Sequence, residues 1–280
     1  MWVVAERSEV PKGPGAGEDR TVVLEDERGV WCAAVVDGST DKSGRIHAGA
    51  TGGALAAEQV VRTLRRLPPG TAPAAAVAEI TADLHRLRAR WGIEDDDPLG
   101  PSAAAAVALP RQGLVWRVGD VHIGIAHPGG TWRRHDGGKA VDRALAATRA
   151  AYLHALLATG ATPGDLAADD PGRTVILPVL QRQAALANRP GPYGYGALDG
   201  RPVPGRFVDV VPLPPGAHEM VLASDGYLRP DPTLEAAEHL LAESLRTDPL
   251  RIGDHPATKG VTPGARSFDD RTYLRLTRTG

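Results

Sequence analysis

Several apolar runs of strand length in this chain stop on an aspartate, usually with a glycine beside it, and this recurrence restricts the fold more than any other feature. Residues 29–36 (GVWCAAVV) run into Asp37-Gly38, residues 113–118 into Gly119-Asp120, and residues 219–224 (EMVLAS) into Asp225-Gly226. Glu18-Asp19 closes the loop VPKGPGAGEDR, and Asp269-Asp270 stands just before the apolar run YLRL. Singly, each pair has a plain reading as a turn, because glycine accepts positive φ and aspartate hydrogen-bonds its own backbone. Asp37 and Asp225 are different, because the segments before them are apolar enough for central strands. An ionised carboxylate at the end of a buried strand is costly unless it is paired or bound to a cation.

Around these pairs the chain reads as strands in runs and helices in pairs. Residues 2–5, 21–25 and 29–36 are expected to be strands, the last two forming a hairpin about the turn EDERG. Helical apolar spacing follows at 52–67 and 73–91. Residues 102–109, 113–118 and 121–126 read as a three-strand meander, 139–158 as a helix ending near Gly160, 208–211 and 219–223 as strands, 233–245 as a helix and 271–276 as a final strand. The Pro-rich stretch up to about residue 200 carries no assignment. This order lacks regular β-α-β alternation, so the expected class is α+β, in one domain over residues 1–280.

Composition removes several functions. With 32 basic against 34 acidic residues the formal charge is −2, too little to hold nucleic acid by bulk charge. The single cysteine, Cys32, excludes an internal disulfide and a thiolate zinc cluster, and it reads as a small buried thiol in a strand. No apolar stretch approaches the roughly 20 residues that span a bilayer, so a cytoplasmic protein with no membrane partner is expected. Only 4% of residues are aromatic, so the core must be built from Ala, Val and Leu. KGPGAG lacks the Gly-Lys-Ser/Thr ending of a nucleotide loop. What remains is a set of oxygen ligands from distant parts of the chain, the donor type that Mg²⁺ and Mn²⁺ prefer.

The order GEDR, VVDGS, PSAAAAVA, WRVGDV, LASDGY and FDDRT resembles the metal-dependent protein phosphatases of the PP2C family, including bacterial members, over residues 18–272. The resemblance implies a four-layer αββα sandwich, two antiparallel sheets between helix pairs. It implies two Mg²⁺ or Mn²⁺ ions, or three, that share and acidify a water for in-line attack on phosphoserine or phosphothreonine. Asp37 would bridge the two metals, with the Gly38 carbonyl and Glu18 at one and Asp225 and Asp269 at the other. Asp19 would orient a water, and Asp120 would help hold the third metal. Asp269 rather than Asp270 aligns with the first residue of the family's Asp-Asn-x-Thr motif.

Three departures qualify that expectation. The phosphate-binding Arg expected four residues before the metal-site Glu is Pro14, and Lys12 is the nearest cation. A Gly pair, and in eukaryotic members a His, is replaced by Ser39-Thr40-Asp41, which leaves His47 as the candidate general acid and Asp41 either near the metals or capping the loop. The stretch NRPGPYGYGALDG stands where a mobile flap is usual, and its aromatics with Arg189 are expected to shape a substrate pocket or pack as an ordered loop. The partner is accordingly a phosphoprotein or a small phosphorylated metabolite, bound by a monomer; a regulatory protein that keeps the fold without the chemistry is the reading from a different class.

Overall fold

The structure is a computed structural model that describes residues 1–39, 44–47, 49–94, 97–262 and 264–279. Asp41 and Thr40 lie outside the described residues. The described residues form twelve strands: β1 (Trp2–Val10), β2 (Arg20–Asp26), β3 (Gly29–Gly38), β4 (Ile46–His47), β5 (Ala50–Thr51), β6 (Ala103–Leu109), β7 (Leu114–Val118), β8 (His122–Ala126), β9 (Trp132–His135), β10 (Asp209–Pro212), β11 (Glu219–Ala223) and β12 (Arg271–Arg278). The helices are α1 (Gly52–Arg66), α2 (Pro73–Arg90), α3 (Ala140–Ala158), α4 (Pro163–Ala168), α5 (Pro171–Leu180) and α6 (Leu234–Thr247). Among the described residues no helix is long and apolar enough to cross a membrane.

Ten strands join in one ladder, in the order β10-β7-β6-β3-β1-β12-β11-β8-β9 with β2 added to β3. It has two antiparallel halves, and a single parallel pair, Trp2 with Gly29, links them. The halves face each other across a dry core. Strand periodicity sends Ala33 and Val35 of β3 and Ala104, Ala106 and Ala108 of β6 into that core, where they meet Ile123, Ile125, Met220, Leu222, Leu274 and Leu276. The alternate set, Cys32, Ala34 and Val36 with Ala103, Ala105 and Val107, packs under α1 and α2 together with the fully buried Trp116. On the outer face of the other half, Val221, Ala223 and Tyr273 meet Ala237 and Leu241 of α6. Among the described residues three large aromatics, Trp116, Tyr227 and Tyr273, are fully buried among the many small side chains that the composition anticipated. Cys32 is buried as expected, and burial pushes its thiol up to about 12, so it stays a protonated, inert side chain.

Two expectations are corrected, and the unassigned Pro-rich stretch gains structure. The meander does not form: β7 lies between β6 and β10, whereas β8 pairs with β9 and β11. The chain crosses between the halves at Gly119-Asp120, where Gly119 has φ 92° and an added Cβ would stand 2.4 Å from Cβ of Ala104. β1 continues to Val10 through alternating polar residues, because β12 pairs along its whole length. The Pro-rich region contains α4 and α5, each with proline at its first position, where the missing N–H costs nothing.

Candidate functional site

Asp37, Asp120 and Asp225 reach one point from three directions. Asp37 is the second-last residue of β3, Asp120 sits on the crossover between the halves, and Asp225 follows β11 by two residues. One oxygen from each lies within 4.8 Å of the others. Asp269, two residues before β12, lines the same cleft, which has a volume of about 330 Å³. Gly38 closes the β3 end where the backbones crowd: a Cβ there would meet the carbonyl oxygens of Glu18 and Gly53 at 2.6 Å each.

The N-terminal acidic pair is braced beneath this cluster. The Glu18 carboxylate accepts from Thr51 Oγ1 at 2.5 Å, and the same Thr51 oxygen caps α1 by accepting from the Ala54 amide. Asp270 ties the loop down, accepting from the backbone N–H of Lys12 at 2.7 Å and of Glu18 at 2.9 Å. Asp19 is buried, and its Oδ2 has no partner. Burial, and then Asp270, Asp225 and Asp269, raise its carboxyl to about 7 despite the Ser224 hydroxyl.

Charge is unevenly neutralised. Burial and the neighbouring carboxylates push Asp37 and Asp225 well above the usual range. Burial acts on Asp120 in the same sense, but the Lys139 ammonium, 2.7 Å from its Oδ2, holds it below its ordinary value. Asp269 likewise stays low against its burial because Lys259 is 2.7 Å from one oxygen and Lys12 3.2 Å from the other. The fit to a cation can therefore be stated from the donors present. Among the described residues, two carboxylates without a close cationic partner and an unpartnered buried oxygen supply an all-oxygen set that suits a hard divalent ion.

The remaining sequence expectations fall elsewhere. Lys12 is engaged with carboxylates at the back of the cluster, 3.7 Å from Glu18 and 3.6 Å from Asp270, and does not line the cleft. His47 stacks on Trp91 with ring centroids 4.4 Å apart and does not line it either. Arg189 and Tyr193 are exposed, and of that stretch Tyr195 and Asp199 line the cleft. Lys139, Lys259 and the bracing Asp270 were missed, and so was Arg251, which lines the cleft beside Asp225. A signal existed for the lysines: the chain has only four, at 12, 42, 139 and 259, among 32 basic residues. Three of them pair with the acidic cluster.

No family model matches the chain, and no curated protein matches it. Solved structures do. The serine/threonine phosphatase PstP/Ppp of Mycobacterium tuberculosis is 17% identical, with 100% of this chain and 99% of that one covered at a TM-score of 0.50. The catalytic domain of PstP in complex with two manganese ions gives 16% identity, 99% coverage of both chains and a TM-score of 0.51. Stp1 from Staphylococcus aureus gives 14%, 98% of this chain, 94% of that one and 0.50. The chain has the fold of the PP2C-like bacterial serine/threonine phosphatases.

Proposed function

We propose that the chain is a Mg²⁺- or Mn²⁺-dependent phosphatase that hydrolyses phosphoserine and phosphothreonine in proteins, built as one domain over residues 1–280. The carrying observation is the convergence of Asp37, Asp120 and Asp225 oxygens within 4.8 Å at a cleft, held there against their mutual repulsion. The shared fold supports the reading, and so does the PstP neighbour that holds two manganese ions. The finer layering fits as well, since each half of the ladder has helices on its outer face and the other half on its inner face.

In this reading Asp37 would serve both cations, Glu18 and the Gly38 carbonyl one of them, and Asp225 and Asp269 the other. Two such ions supply an acidified water and offset charge on the phosphoryl oxygens. The protein's own contribution is placement. Strand ends from both halves fix the carboxylates, Thr51 and Asp270 hold the Glu18 segment, and Asp19 lies beneath as an acceptor for a hydrogen-bonded water. The test is release of phosphate from a phosphopeptide and from p-nitrophenyl phosphate with Mn²⁺ and with EDTA. Turnover with Mn²⁺ that EDTA abolishes is expected; turnover that persists in EDTA counts against the proposal. Arg143 of α3 and Arg173 of α5 line the cleft and offer charge that a small phosphorylated metabolite, the second reading, would also meet. Hydrolysis of p-nitrophenyl phosphate with none of phosphopeptides would select it.

Asp120 bears on the number of ions. Its salt bridge to Lys139 places a positive charge beside the carboxylate, so a third cation would have to displace Lys139, as an ion at Asp269 would have to displace Lys259 and Lys12. Replacing Lys139 by Met should free the carboxylate and raise the Mn²⁺ stoichiometry measured by calorimetry from two towards three. A stoichiometry unchanged at two would show that Lys139 does not take the place of an ion.

A further inference from the structure

We infer that Arg251 is the residue that grips the substrate phosphate. The inference deepens the phosphatase reading and takes its ligand class from it. Arg251 is 4% exposed, lines the cleft with Asp225 and Asp269, and among the described residues has no carboxylate within salt-bridge distance. Its Nε is buried without a partner, and its one side-chain hydrogen bond is a long 3.4 Å contact from Nη1 to Ser244 Oγ. The nearby Asp248 carboxylate is committed to the backbone N–H groups of Ile252 and Gly253, at 2.9 and 2.6 Å. What steadies the guanidinium is the ring of Phe268, 4.1 Å away, and Phe268 is the residue before Asp269. A buried cation with donors to spare is costly, and a planar fork of N–H groups matches phosphate oxygens.

The backbone around it is built for that presentation. Arg251 has φ 56°, a left-handed value uncommon outside glycine. The fully buried Arg149 of α3 donates to the carbonyls of Leu250, Arg251 and Ala257, at 2.9, 3.3 and 3.1 Å, and its other nitrogens pair with Asp170 at the start of α5. Arg173 adds a bond to the Thr258 carbonyl at 2.8 Å. Two helices thus hold one loop that brings both Arg251 and Lys259 to the cleft, where Lys259 is paired with Asp269 and Arg251 is not paired with a carboxylate among the described residues. A phosphate monoester dianion in the cleft would meet the Arg251 guanidinium on one side and the ions held by the carboxylates on the other.

The experiment measures affinity for inorganic phosphate by calorimetry in Mg²⁺, with the thermal midpoint of each variant. Arg251→Gly suits the left-handed backbone and removes the guanidinium; Arg251→Lys keeps charge without the fork. Loss of a charge-assisted pair should weaken phosphate binding about 10- to 100-fold in Arg251→Gly, with a similar rise in KM for p-nitrophenyl phosphate. The thermal midpoint without phosphate should stay level or rise, which a purely structural arginine would not allow. Unchanged phosphate affinity in either folded variant overturns the inference, as does a wild-type protein that binds no phosphate. If Arg251→Gly fails to fold, Arg251→Lys decides alone, with a loss of affinity expected. Ester hydrolysis with KM unchanged in the variants defeats this inference and leaves the phosphatase reading standing. Arg251-dependent phosphate binding without hydrolysis of any ester does the reverse.

Discussion

Asp37→Asn is expected to abolish phosphate-ester hydrolysis while making the metal-stripped protein more stable. Asp37 belongs to the acidic point formed with Asp120 and Asp225, and burial together with Asp19, Asp120 and Asp269 disfavours its ionised form. The amide keeps the shape of the strand end but removes a charge that only cations would balance. If the ions supply several kcal/mol of transition-state stabilisation, the fall in kcat/KM should be at least about a thousandfold. In EDTA the same change relieves repulsion, so the thermal midpoint should move up. Activity within tenfold of wild type would remove Asp37 from the proposed centre. A lowered midpoint in EDTA would mean that the carboxylate is a structural acceptor.

The second large effect concerns a residue outside the cleft. Arg149→Met should destabilise the protein by about 3–5 kcal/mol, the cost of breaking a buried ion pair and leaving its partners unpaired. Its guanidinium joins Asp170 to three carbonyls of the loop after α6, and no smaller cation spans that set. Arg149→Lys should therefore fail to restore stability, because an ammonium is a point charge without the fork. For a chain of this size the loss corresponds to a fall of roughly 10 °C in thermal midpoint. A fall of 2 °C or less in Arg149→Met would show that the loop is held by other means.

The carboxylates were legible because they end apolar strands. A Val- and Ala-rich run that terminates in Asp-Gly is a local pattern, and β3 and β11 deliver Asp37 and Asp225 as that pattern implies. The crossover at Gly119-Asp120 was not legible, since a tight turn and a passage between two halves of a ladder use the same dipeptide. Nor were α4 and α5, whose prolines at first helical positions look like loop punctuation until capping is considered. The cationic partners were hardest. Lys139 meets Asp120, and Lys259 meets Asp269, across elements whose packing has no spacing signature, while Lys12 pairs with Asp269 and Glu18 without lining the cleft and His47 stacks on Trp91.

The single pair between Trp2 and Gly29 has a mechanical consequence. With so little backbone bonding at the seam, the distance between the halves is set by methyl groups: Ala33, Ala104, Ala106 and Ala108 on one side, Ile and Leu side chains on the other. Asp37 rides on one half, and Asp225 and Asp269 on the other. The span between these oxygens is therefore a property of core volume, and a methylene added deep in the alanine layer would act as a spacer, widening the gap between the carboxylates without touching any of them.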